Sequence, residues 1–303
     1  MSFSRTASSF EELSVLKRRM ETKPVEQVLA HRYSHFQHYL WHAIYARERK
    51  CRQLEPLLPL DAEVRQDHMR FVCISDTHEK LGELLPRIPP GDVLVHTGDF
   101  TNFGDPEAVK LFNEQMGTLP HTHKIVIAGN HELGWDETED VTQRQEPHVN
   151  KPGSPQGYKL LSNCIYLHDS SIEVHGITVY GSSWHPLPDY PFFRERGAAL
   201  HKEWLKIPTG GQVHVLMTHT PPLGHSDSWH GERWGSAELL DCIEKRIHPK
   251  FHVFGHVHEQ NGVTTNDETI FINASICDHN LDPVNNPILF DIPLPAGQTK
   301  QVL

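Results

Sequence analysis

The residues best suited to chemistry in this 303-residue chain are carboxylates, an amide and imidazoles that follow short apolar runs. "FVCIS" (71–75) leads into Asp76-Thr77-His78, and "DVLVHT" (92–97) into Gly98-Asp99. "KIVIAG" (124–129) leads into Asn130-His131-Glu132, "VHVLMT" (213–218) into His219, and "FHVFG" (251–255) into His256-Val257-His258. Any one such end is weak evidence, because a lone strand-end histidine is more often a hydrogen-bonded structural residue. Repetition changes the weight. In an open α/β sheet the carboxyl ends of neighbouring strands line a shared crevice, where residues distant in sequence converge. A glycine such as Gly129 is read as freeing the backbone to turn, so that the residues after it face that crevice. Oxygen and nitrogen donors without thiolate suit manganese, iron, zinc or related divalent ions, and not calcium, which avoids imidazole. So many polar groups packed together without a cation would be poorly paired. Two metals resolve this, because one carboxylate can bridge ions roughly 3.5–4 Å apart.

Three more runs, "ITVYG" (177–181), "TIFINAS" (269–275) and "ILFDI" (288–292), complete a set of eight. Apolar runs without alternation imply sheet covered on both faces, hence layered α/β architecture. The stretch from Asp136 to Lys159 is polar and carries Pro and Gly, as expected of a surface loop able to act as a flap. Residues 1–69 differ. Ser9 and Glu12 have capping-box spacing, and Pro24 can open a second helix. Val25, Leu29, Tyr33, Phe36, Leu40 and Ile44 then form one apolar stripe, which predicts a helix packed on the main domain or on a partner subunit. Pro56–Asp67 reads as a linker. The expected organisation is a helical extension and linker over 1–69 and one globular domain over 70–303.

With 22% charged and 37% hydrophobic residues, the composition is that of an ordinary globular protein. A formal charge of −11 argues against an extended nucleic-acid face, which needs clustered Lys and Arg. Small phosphate compounds stay compatible if cations gather in a cleft. The amino-terminal stretch has no apolar core of signal-peptide length, and no run approaches the roughly 18 apolar residues of a membrane span. The five cysteines are scattered and never form C-x-x-C, so they are read as reduced thiols of a cytoplasmic protein.

The series of strand ends resembles the calcineurin-like metallophosphoesterase superfamily. Longer stretches, "RFVCISDTH", "HTGDFT", "KIVIAGNHEL", "PPLG", "HVFGHVHE" and "FINAS", resemble its eukaryotic branch of metallophosphoesterase-domain-containing proteins, over roughly residues 70–292. The resemblance implies a mixed α/β four-layer sandwich, two mixed β-sheets flanked by helices, with two divalent metal ions at the strand ends. By position it implies Asp76, His78, Asp99 and His258 as ligands of the first ion. Asp99, Asn130, His219 and His256 would hold the second, with Asp99 bridging. Manganese is the expected metal, with iron, zinc or magnesium as the other choices. Some members of the branch lack a ligand at the position of His256; its presence here favours an active site. Such an ion pair lowers the pKa of a bridging water from roughly 16 to about 7, giving a hydroxide that attacks phosphorus in line. His131, beside Asp99 and Asn130 in the catalytic set, matches the family histidine that protonates the leaving oxygen or stabilises its charge. Glu132 would either orient that imidazole or form a structural salt bridge.

Serine/threonine phosphatases of the superfamily carry arginine in G-D-x-x-D-R-G and again directly before G-N-H-E. Phe103 and Ala128 stand at those positions here. A phosphomonoester dianion is usually clamped by bidentate guanidinium groups, so their absence disfavours phosphoprotein substrates. A diester carries one charge and a second organic group for apolar walls to contact. Phe103 and Trp184, the latter in "YGSSWHP", are candidates for stacking on a nucleobase, with core packing at the pocket rim as the alternative. The expectation is a metal-dependent phosphodiesterase for small nucleotide-derived diesters such as cyclic nucleotides. The rival reading is a weakly active or inactive protein that binds nucleotide monophosphates or acts as a scaffold. A DNA nuclease would need a basic groove that the local charge pattern lacks. His96 is read as a core histidine, and nothing in the spacing of His185 or His225 requires them at the site.

Overall fold

Runs of β-branched and aromatic residues become strands because such side chains pack well on both faces of a pleated sheet. A computed structural model describes residues 37–38, 40–144, 146–295 and 300. The strands are β1 (Arg52–Leu54), β2 (His68–Ile74), β3 (Val93–His96), β4 (His123–Val126), β5 (Ile165–Tyr166), β6 (Ser170–Val174) and β7 (Ile177–Ser182). They continue with β8 (Val215–Thr218), β9 (Ser228–Trp229), β10 (Glu232–Arg233), β11 (Phe251–Phe254), β12 (Gly262–Thr265), β13 (Ile270–Asn273) and β14 (Ile288–Pro293). Each of the eight apolar runs coincides largely with one of them.

Two mixed sheets result, in the orders β14-β2-β3-β4-β5 and β1-β12-β13-β11-β8-β7-β6. In the first, β2 to β5 run parallel and β14 pairs antiparallel with β2. In the second, β13, β11, β8 and β7 run parallel, with antiparallel pairings toward both edges. Side chains alternate across a strand, and the two resulting sets find different partners. Phe71, Cys73, Val93 and Val95 of the smaller sheet share a core with Val179, Val215, Met217 and Val253 of the larger. Phe290 stacks on Phe71 within its own sheet and on Phe251 of the opposite sheet, with ring centroids 4.8 and 3.9 Å apart. The other set, which includes Val72, Leu94, Leu216 and Phe254, packs with helices α1 (Pro106–Thr118), α2 (Ala198–Trp204) and α3 (Ala237–Cys242). The order is helix, sheet, sheet, helix: the expected four layers. Pro106 opens α1 with a pre-set φ, and Val109, Phe112 and Met116 recur at helical spacing to cover the sheet.

At the amino-terminal end, Leu40, Trp41 and Tyr45 are buried against Leu223, Ala237 and Leu240, and Arg49 pairs with Asp241 and Glu244. Gly224 has φ 91°, and a Cβ there would strike the Trp41 indole, so this contact requires glycine. The described end of the predicted stripe therefore docks on its own domain. Ser9, Glu12, Pro24, Val25, Leu29, Tyr33 and Phe36 lie outside the described residues. One boundary changes. The region read as extension and linker contributes β1, paired antiparallel with β12 with Arg52 opposite Thr265, and β2 already opens at His68. Three residues of mixed polarity carry no periodicity; the backbone hydrogen bonds of an open sheet edge make them a strand.

Candidate metal centre

The two sheets meet at their carboxyl ends. An isolated bridge joins Ser75 to Ser275, and Ile276 N–H donates to Ser75 O at 2.9 Å. The turns after β2 and β3 are tied together, with Asp76 N–H donating to Gly98 O (3.0 Å) and His78 N–H to Asp99 O (3.1 Å). Asp76, His78, Asp99 and His256 all have left-handed backbone, with φ of 50°, 41°, 55° and 71°. Such geometry costs a non-glycine residue of order 1–3 kcal/mol, and it persists where surrounding bonds over-determine it. Here it swings four side chains off their strands toward one point. Gly98, at φ 99°, does supply a turn. Gly129 and Gly255 correct the expectation about turning. A Cβ on Gly129 would meet the Asp99 carboxylate and the His219 ring, and one on Gly255 would meet the Asp76 carboxylate and Ser75. They are glycines so that ligand side chains can lie against bare backbone.

Ligand atoms of Asp76, His78 and His258 lie within 4.8 Å of one another, as do those of Asp99, His219 and His256; His78, Asp99 and His131 make a third such group. Asp99 thus stands between the clusters. Asn130 Oδ1 is 2.9 Å from His219 Nε2, which adds the amide to the second cluster. Four rings are held from behind. Nδ1 of His219 faces Thr97 O (2.8 Å), Nδ1 of His258 faces Asp278 O (2.9 Å) and Nδ1 of His131 faces Asn102 O (2.8 Å). Nδ1 of His78 lies 3.2 Å from Asn102 Oδ1. A carbonyl can only accept, so these contacts place the proton on Nδ1 and leave Nε2 to face the centre.

That arrangement is the test of fit for a cation. Nε2 of His78 and Nε2 of His258 approach to 3.2 Å, and His258 Nε2 is 3.4 Å from Asp76 Oδ1. His219 Nε2 is 3.1 Å from Asp99 Oδ2 as well as near Asn130. Lone pairs so placed repel unless a proton or a cation lies among them. Burial alone would depress both histidines, yet the Asp99 carboxylate raises His219 to about 9, and the Asp76 carboxylate raises His258 to about 9. Burial would raise both carboxyls, and the facing imidazoles instead hold Asp76 and Asp99 below the usual carboxylate range. Anionic oxygens and inward nitrogens in two adjacent sets, linked through the His78-Asp99 pair, match divalent metals of the manganese, iron and zinc class.

A family model described as calcineurin-like phosphoesterase matches residues 69–260. The chain belongs to the calcineurin-like phosphoesterase family. It is 53% identical over 266 residues to UPF0046 protein C25E10.12 of Caenorhabditis elegans, covering 86% of this chain and 94% of that protein. To metallophosphoesterase domain-containing protein 1 of Homo sapiens it is 44% identical over 258 residues, covering 81% and 77% respectively. Among solved structures, that of TT1561 of Thermus thermophilus aligns over 75% of this chain and 100% of that one, at 12% identity and a TM-score of 0.44. Family membership and the ligand clusters make this chain a metal-dependent hydrolase of phosphoric esters.

Around the centre of this calcineurin-like phosphoesterase, several residues stand where sequence reasoning did not place them. The Glu132 carboxylate does not touch the His131 ring. It accepts from the backbone N–H of Asp99 (2.9 Å), Thr101 (3.0 Å) and Gly129 (2.7 Å), and so ties two ligand-bearing turns together. Burial and the Asp99 charge push it up to about 7 against those N–H donors. Asn102 is the residue that orients His131. Trp184 is buried among core residues, with Nε1–H donating to Asp169 Oδ2 at 2.9 Å and the Arg194 guanidinium 3.8 Å from its ring centroid. It offers no free face for a base. Phe103 is half-buried near the centre with the Lys151 ammonium 4.3 Å from its ring centroid, so one face is taken. The loop read as a flap does fold over the site: its His148 lies 5.8 Å from His131 and 4.6 Å from Tyr190. Tyr190 is 5.8 Å from His131, and Trp234 6.2 Å from His256. Neither aromatic carries a motif; Tyr190 arrives through the packing of a loop, and Trp234 directly follows the two-residue strand β10. His96 is a core histidine bonded to Thr77 Oγ1 at 2.9 Å, while His185 and His225 make hydrogen bonds with Pro191 O and Thr264 Oγ1.

Proposed function

We propose that the two clusters hold two divalent cations bridged by Asp99, and that the chain is a phosphodiesterase for small nucleotide-derived diesters, cyclic nucleotides among them. The carrying observation is the pair of ligand sets, Asp76-His78-His258 and Asp99-His219-His256, joined by a third group in which His78 of the first lies with Asp99 of the second. Bound there, the cations would supply an acidified water as nucleophile and neutralise charge gathering on phosphorus. The protein's own residues do the rest. Asn130 contributes a neutral amide oxygen at the second cluster. His131, its Nδ1 fixed to Asn102 O, presents Nε2 to the leaving oxygen, and its imidazolium form donates there.

Preference for a diester rests on the arginines. The two positions that carry arginine in serine/threonine phosphatases hold Phe103 and Ala128. Of the arginines in the neighbouring cleft, Arg194 is bonded to Glu203 and Thr138, and Arg196 to the carbonyls of Trp234 and Gly235. A dianionic monoester therefore lacks the fork it would want. Manganese is the proposed metal. A cytoplasmic location fits five cysteines that are all free thiols. Among the described residues no helix is long and apolar enough to cross a membrane. The test is an assay of the manganese-loaded protein on matched 4-nitrophenyl mono- and diesters, with Asp99→Asn as the control. A higher kcat/KM for the diester, lost in the control, is expected; preference for the monoester overturns the reading.

A further inference from the structure

Beside the centre lies a cleft of about 920 Å³ that includes His256, Tyr190 and Trp234 in its wall. Its volume is in the range that holds a nucleoside-sized ligand. The catalytic reading above assigns it no role. Two features give it one.

The first is its aromatic wall. Tyr190 stands between the cleft and His131, and Trp234 flanks His256, so a group attached to phosphorus at the metal centre passes aromatic side chains as it leaves the site. Aromatic faces take flat rings without demanding one base over another. The second is charge. Five carboxylates line the cleft, Asp189 and Glu195 among them, against two guanidiniums, Arg194 and Arg196. Those guanidiniums are already turned to protein oxygens, and with Glu195 set aside and the Arg144 that pairs with Glu139 counted, the region is still net negative. The chain thus places cation-binding residues at one end of the cleft and excess negative charge along the rest. A phosphoryl group is drawn to the first, and a second anion is repelled by the other.

We infer that this cleft receives the organic arm of the diester that stays on phosphorus, and that it selects an uncharged or cationic ring-bearing arm and rejects one with a second phosphate. The leaving oxygen must reach His131, so the retained arm is the one that runs out past His256. This inference rests on the phosphodiesterase reading and narrows its substrates to compounds with a single phosphate. Nucleoside polyphosphates and oligonucleotides are excluded by the carboxylates.

The experiment holds the leaving group constant and changes the arm. Three 4-nitrophenyl phosphodiesters are compared on the metal-loaded full chain: the methyl ester, the thymidine 5′-ester and the same thymidine ester phosphorylated at its 3′ oxygen. The thymidine arm should raise kcat/KM about tenfold over methyl, in keeping with stacking of one base. The added 3′-phosphate should lower it by about fivefold or more, and the loss should shrink in high salt, as charge repulsion does. Tyr190→Ala should cost the thymidine ester about tenfold more than the methyl ester. Calorimetry provides a readout without turnover, with thymidine 5′-monophosphate binding more tightly than thymidine 3′,5′-bisphosphate. Equal or better use of the bisphosphorylated substrate overturns the inference, and so does a Tyr190→Ala loss that is the same for all arms. If no diester is cleaved yet the monophosphate still outbinds the bisphosphate, the phosphodiesterase reading fails while the cleft's selectivity stands.

Discussion

Asp76, Asp99, Asn130, His219 and His256 each sit within a few residues of a strand end, whereas His148 and Tyr190 reach the same centre from loops. The first group is placed by the register of parallel strands and by turns bonded to one another, such as His78 N–H to Asp99 O at 3.1 Å. The second is placed by loops folding over a finished sheet edge. A ligand set that must hold to tenths of an ångström is thus built on the stiffest part of the molecule. On the proposed reading, the groups that would contact the variable part of a substrate are left to segments that tolerate change.

If that contrast holds, damage should be graded by region. Asp99→Asn removes the shared carboxylate and should cost activity on the order of 10³-fold, with metal content by elemental analysis falling with it. Gly255→Ala should come next. Its Cβ meets the Asp76 carboxylate and Ser75, so about 1–3 kcal/mol of stability should go in chemical denaturation, together with metal at the first cluster. Glu132→Gln replaces an acceptor of three backbone N–H groups with a group that is half donor, and about 1–3 kcal/mol should be lost. Its pH–rate profile should keep its shape, because no contact reaches the His131 ring; a displaced profile would restore the orienting role. Trp184→Phe should be smallest: about 1 kcal/mol lost with the Asp169 bond, and kcat/KM unchanged within about twofold.

Legibility follows the same division. The eight apolar runs, the layered class and the convergence of the strand-end residues were readable because one local event, an apolar strand that stops at Asp, Asn or His, fixes both an element and a location. The role of Gly129 was misread because bare backbone against a carboxylate and freedom to turn leave the same letter in a sequence. Trp184 follows the core-packing alternative for a related reason. It directly follows a strand, as the ligands do, but its side chain turns inward to Asp169. Strand β1 carries no pattern of its own, since an open edge of the larger sheet creates it. Tyr190 and His148 had no signal at all: "PDYP" and "EPHV" are ordinary loop sequence until the loops close over His131.

The carbonyls behind the histidines have a practical consequence for exchange of the metals. With Nδ1 of His219, His258 and His131 each facing a main-chain oxygen, the rings are aimed by the fold and not by the ions they would bind. Stripping with a chelator should therefore leave a template ready to refill, and reloading with a different divalent ion should follow binding kinetics, with no slow refolding phase.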